Sequence, residues 1–231
     1  MKIKGVELKV ADVISNLRNA GADGLETFEK KINDNARNRA VFEDLLSEAR
    51  AALMFLHHGF KVTMRESPDL YIQIFGEALY AEVKHFHEKQ QDLIDEQKMR
   101  GSDDLVMVGN TIPLEGSASW EQVAQVAIKK AAQYMRDAPN ILVIETDSNS
   151  VKGIILQTAV NIYDEIARSS GESSSLRRLN GFVLIDQWVW PGDKVEWLGS
   201  GYRNIIFHQT RYATIPLDSK LVNALSSIQE G

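Results

Sequence analysis

Between Ser67 and His87 the chain reads SPDLYIQIFGEALYAEVKHFH, and Asp69, Glu82 and Lys84 stand within or beside two mostly apolar and aromatic runs on either side of a turn at Gly76 and Glu77. Two carboxylates and an ammonium brought to one point suit one kind of chemistry. The carboxylates hold a hard divalent cation, which neutralises a phosphate and lowers the pKa of a bound water. The ammonium orients that water or steadies the negative charge that develops as it attacks. The chain has no cysteine, so a metal must be held by oxygen or imidazole nitrogen, which favours magnesium or manganese. The bland alternative is a cross-strand ion pair in which Lys84 neutralises Glu82 or Asp69, a common and individually weak contact.

The convergence depends on two strands, DLYIQIF and ALYAEVKHF, joined by a hairpin marked by Gly76 and Glu77. With a two-residue turn at that pair, Phe75 opposes Ala78, Asp69 opposes Lys84 and Tyr71 opposes Glu82. Opposed residues share a sheet face, as do alternate residues of one strand. Asp69, Glu82 and Lys84 are therefore expected on one face, with Ala81 and Val83 turned to the core. A three-residue loop would reverse this parity.

Other elements must carry the hairpin. Val41, Phe42, Leu45, Leu46, Ala49, Leu53 and Leu56 recur at three- and four-residue intervals, which predicts a helix over 36–58 ended by Gly59. FKVTMRE follows as a strand. Further on, SWEQVAQVAIKKAAQYMRDA predicts a helix starting at Ser119 and NILVIET a buried strand, then a helix over 154–168 and strands at GFVLIDQWVW and RNIIFHQ. RSSGESSSLRR reads as a mobile loop. Two short N-terminal helices, ADVISNLRNA and GLETFEKKI, are expected to form a cap over 1–34 on a main domain spanning 35–231. Helices alternating with strands after an antiparallel hairpin indicate an α/β fold with a mixed sheet.

Pro68-Asp69, twelve residues, then Glu82-Val83-Lys84 resembles the signature of the PD-(D/E)XK nuclease superfamily, the restriction-endonuclease-like fold. In that family a helix bearing a glutamate leads into the first strand, the Asp opens the second, and the Glu-x-Lys lies on the third. Here EARAALMFLHHGFKV sets Glu48 eleven residues before Gly59, similar to the Holliday-junction-resolvase and repair-nuclease branch. The resemblance covers about 36–145 and implies a central mixed sheet flanked by helices. It also implies that Asp69 and Glu82 bind magnesium or manganese with the backbone carbonyl of Val83, that Lys84 assists the attacking water, and that Glu48 serves a second metal or its water. The expected activity is that of a metal-dependent endonuclease of restriction or repair type acting on nucleic acid, DNA first, with a homodimer as a further partner. Some members carry a Gln and a Tyr one helical turn apart in the next helix. Gln133 and Tyr134 are adjacent here, so that role is not carried over.

The net charge of −6 works against a surface that coats nucleic acid as a whole but leaves room for a local basic groove. Basic residues gather at Lys84 to Lys89, at Lys129, Lys130 and Arg136, and at Arg177 and Arg178. No segment approaches the ~18 apolar residues of a membrane span, and the N-terminus lacks a continuous apolar stretch, so a cytoplasmic protein is expected. His85 and His87 alternate and, with His57 or His58, offer a zinc site, though one facing away from Glu82. His57 and His58 more simply complement a helix C-terminus. Trp188, Trp190 and Trp197 lie near Asp186, Asp193 and Glu196, which suits core or a dimer interface better than contact with phosphates. No phosphate-binding glycine loop or serine elbow occurs. The competing function is a non-catalytic α/β binding or assembly module on a nuclease-like scaffold.

Overall fold

Among the described residues, six runs of β-branched and aromatic residues pair into one mixed sheet. They are β3 (Lys61–Met64), β4 (Leu70–Ile74), β5 (Glu77–Phe86), β6 (Asn140–Thr146), β7 (Leu179–Gln187) and β8 (Tyr202–Gln209), adjacent in that order. The computed structural model describes residues 2–3, 6–7, 10–86, 119–146, 153–187 and 202–228. β3, β4 and β5 form an antiparallel meander, β5, β6 and β7 run parallel, and β8 returns antiparallel to β7. β6 is buried at every position, as a strand covered on both faces must be.

Strand alternation divides the interior in two. Ala81, Val83, Ile141, Val143, Val183 and Ile185 meet α1 (Val10–Ala20), α2 (Leu25–Asp34), α3 (Arg39–His57) and α6 (Ser219–Ser226). Leu142, Ile144, Phe182 and Leu184 meet α4 (Ser119–Lys130) and α5 (Gly153–Ser169) on the opposite face. Val13, Leu17, Phe28 and Ile32 of the N-terminal helix pair share the first core with Leu45, Leu46 and Leu53 of α3. The pair is also tied to the sheet edge, where Asp23 bridges to Thr63. A two-stranded piece, β1 (Lys2–Ile3) with β2 (Val6–Glu7), precedes it.

The hairpin differs from its expected register. Ile74 opposes Glu77 and Leu70 opposes Ala81, so the turn residues are Phe75 and Gly76 rather than Gly76 and Glu77. Both have positive φ, 54° and 84°, the pattern of a turn matched to strand twist that requires left-handed backbone at both centres. The turn remains two residues long but starts one residue earlier. Every partner therefore moves by two positions and the face parity survives. Asp69 comes beside Glu82 instead of Lys84.

α4 ends at Lys130, short of the predicted end at Ala138. Asn140 takes over there, accepting from the Met135 amide at 2.7 Å and donating to the carbonyls of Met135, Ala138 and Arg178 at 2.8 to 3.0 Å. Asn180 extends this knot, accepting from the Asn140 amide at 2.8 Å and donating to the Ile215 carbonyl. Within the serine-rich stretch read as a mobile loop, Ser175–Arg178 forms a 3-10 turn capped by Ser174. The tryptophan-rich region and residues 88–118 lie outside the described residues.

Candidate active site

The meander delivers two carboxylates and the helix before it delivers a third. Asp69 stands one residue before β4, where its Oδ2 accepts a hydrogen bond from the Val83 amide at 2.8 Å. Glu82 lies on β5 and is 1% exposed. Its strand neighbours Ala81 and Val83 pack into the core as expected. Glu48, from α3, is also buried.

Lysines from two other elements stand among these carboxylates. Lys31 of α2 donates to both oxygens of Glu48 at 2.8 and 2.9 Å, and its Nζ lies 3.9 Å from Asp69 Oδ1. Lys130, the last residue of α4, donates to Glu82 Oε2 at 2.8 Å. Among the described residues Glu82 Oε1 is buried without a hydrogen-bond partner. Lys84 shares the face of Glu82 but sends its ammonium to Asp44 of α3, 3.3 Å away. The cross-strand pair between Lys84 and Glu82 or Asp69 is thus replaced by longer-range pairs with Lys130 and Lys31.

Burial dominates the electrostatics. The Glu48 carboxyl is pushed up to about 8 by desolvation and then by the charge of Asp69, which together outweigh the Lys31 ammonium. Desolvation also raises Asp69, against the opposing effect of the Val83 amide. Glu82 rises through desolvation and the nearby Asp69. For Lys130 burial works against the charged form, but the bond to Glu82 and the charges of Glu82, Asp69 and Glu48 prevail, and its pKa is raised. Carboxyls that resist ionisation because they are buried, and then because they lie close together, are a setting in which added positive charge is favourable.

The structure therefore brings Asp69, Glu82 and Glu48 together and sets Lys84 at their margin. Sequence reasoning missed Asp44, Lys31 and Lys130. Asp44 carried a signal, since it precedes Glu48 by four residues and shares its helix face. Lys130 belonged to a noted basic cluster. Lys31 had no local signal, because its partners lie in another helix and beyond β3.

Among the described residues no three carboxylate or imidazole groups are arranged around one point as a ready metal cage. The donor set nonetheless fits a hard cation. It consists of carboxylate oxygens, one of them buried and unpartnered, and an ammonium already bridges two of the carboxylates. His85 faces the other side of the sheet, where Glu145 lies in register beside it. His58 Nδ1 lies 2.8 Å from the Met54 carbonyl at the end of α3, in keeping with a helix-terminal role. His87 lies outside the described residues.

Comparison with known proteins gives no match to a family model, a curated protein or a solved structure.

Proposed function

We propose that this chain is a metal-dependent nuclease that hydrolyses phosphodiester bonds, DNA being the first substrate to test, on a restriction-endonuclease-like scaffold. The observation that carries the reading is the burial of Glu48, Asp69 and Glu82 together, from three separate elements, with Glu82 Oε1 left unpartnered. A core has no need of such a group, and leaving it unsatisfied is costly. The element order supports the same reading. Among the described residues a glutamate-bearing helix, an antiparallel three-stranded meander, a helix and a parallel strand come in the order α3, β3, β4, β5, α4 and β6, which is the order the resemblance implies.

On this reading Asp69, Glu82 and the Val83 carbonyl would hold magnesium or manganese, with Glu48 serving a second ion or its water. The metal supplies charge neutralisation at the phosphate and a water of lowered pKa. The chain's own residues do the rest. The Val83 amide fixes the Asp69 carboxylate, and Lys84, half-buried and steadied by Asp44, holds the attacking water or the charge that develops on the phosphate. Lys31 and Lys130 balance the carboxylates until a cation arrives and then present positive charge to the phosphate backbone.

The test is calorimetric titration with manganese of the wild type and of Asp69→Asn, with cleavage of plasmid, single-stranded DNA and RNA in the same buffer. Expected are binding and cleavage in the wild type, both lost in Asp69→Asn, with turnover falling by at least on the order of a hundredfold and the melting curve preserved. The pairing of carboxylates with Lys31 and Lys130 favours a second reading, a structural ion network in a non-catalytic binding module. A wild type that neither binds manganese nor cuts would establish that second reading.

A further inference from the structure

The face that carries Asp69 and Glu82 continues along the meander into two aromatic residues. Tyr71 lies two residues after Asp69 and Tyr80 two before Glu82, and they are direct cross-strand partners. Their ring centroids are 5.1 Å apart and tilted by 47°. The Arg65 guanidinium sits over the Tyr80 ring at 5.1 Å. Both tyrosines are only partly buried, and among the described residues neither joins the hydrophobic core on either side of the sheet. Their strand neighbours Leu70, Ile72, Leu79 and Ala81 fill the first core. Two large rings kept out of both cores, beside a cation, form a platform rather than packing.

The spacing ties the platform to the carboxylates. Two residues along a strand is about 7 Å, a distance that a nucleotide spans between its phosphate and its base. A phosphate at Asp69 and Glu82 therefore lets the neighbouring base reach Tyr80 and Tyr71. Within a duplex the faces of the bases are already stacked on one another, so rings of this kind engage bases that are unpaired or splayed. The exposed Lys61 of β3 and Arg65, one residue past its end, supply positive charge for the backbone of the strand.

We infer that Tyr71 and Tyr80, with Arg65, are a base-stacking platform that receives a single-stranded segment of nucleic acid and sets its phosphate at the carboxylate site. This rests on the phosphodiesterase reading for the class of ligand. Fluorescence anisotropy tests it, using labelled oligothymidylate, oligouridylate and a DNA duplex of the same length, in calcium buffer, at two salt concentrations. Tyr80→Ala and Tyr71→Ala should each weaken single-strand binding by on the order of tenfold while leaving duplex binding unchanged. Tyr80→Phe and Tyr80→Trp, which keep a ring, should retain affinity and control for folding. The thymidylate and uridylate arms separate DNA from RNA as the preferred strand.

Outcomes for platform and hydrolysis are separable. Wild-type single-strand affinity in both alanine variants, equal losses on duplex and single strand, or no oligonucleotide binding by the wild type would each overturn the platform. Cleavage that needs Asp69 but ignores the tyrosines keeps the nuclease and removes the platform. Tyrosine-dependent strand binding without any cleavage keeps the platform and removes the nuclease.

Discussion

Burial and the charge of Asp69 push the Glu48 carboxyl up to about 8 in the folded chain, against the pull of the Lys31 ammonium, from an ordinary value of 4.5. Between those values the unfolded state binds fewer protons than the folded one, so stability falls as pH rises through the window. The upward shifts of Asp69 and Glu82 act in the same direction. Glu48→Gln, which cannot ionise, should flatten the dependence of melting temperature on pH in the metal-free protein and raise stability at pH 8 by on the order of a few kcal/mol. Calorimetric melts across that range measure it, and a slope as steep as the wild type would assign the effect to other groups. At this scale the sequence was informative where residues are local. Asp69, Glu82 and Lys84 stood out by type and spacing, and their shared face survived a displaced turn, whereas Glu48 came only with the family resemblance. Lys31 and Lys130 were invisible as partners because their contacts cross 17 and 48 residues, and no period within one element encodes such a distance.

α3 holds its position through one buried ion pair as well as through its apolar stripe. Arg50 grips Glu145 of β6 with two donors, Nε to Oε1 and Nη2 to Oε2, the second at 2.6 Å. Burial alone would raise the Glu145 carboxyl, but the Arg50 guanidinium overcomes it and the pKa is lowered. Arg50→Met leaves that charge buried without its main partner and should cost about 3–5 kcal/mol, read by urea unfolding. Adding Glu145→Leu to it should recover much of the loss, whereas an additive double variant would mean that the two residues act independently. Because α3 also presents Asp44 and Glu48, the pair fixes one wall of the site. Among the elements, strands were legible from β-branched runs and helices from their period. The turn was misplaced because Phe75 occupies a left-handed conformation that sequence chemistry reserves for Gly, Asn or Asp. The end of α4 was misplaced because the chain beyond Lys130 is held in a non-helical path by the side chain of Asn140, which bonds both the amide and the carbonyl of Met135.

The whole molecule assembles its candidate site from the N-terminal helix pair, α3, the meander and the end of α4, the first three consecutive in sequence and the last remote from them. The α/β class and a mixed sheet followed from the alternation of elements. The continuous core between the N-terminal pair and α3 did not, since amphipathic faces show what is buried but not against what. The Asn140–Asn180 knot closes the end of the sheet where β6 and β7 begin, and its second member is followed by Gly181. A side chain at 181 would strike the Phe207 ring at 2.6 Å and the His208 carbonyl at 2.9 Å, so packing demands glycine there. An asparagine followed by glycine is also the dipeptide most prone to spontaneous cyclisation and loss of its amide. In the native chain the Asn180 amide is buried and engaged at both ends, and the reaction is held off. Once the chain opens, that protection ends. Isoaspartate at residue 180, measured by peptide mapping after storage, should therefore accumulate in urea and not in native buffer. The same dipeptide that packs the sheet would then act as a chemical clock, recording how long each molecule has spent unfolded.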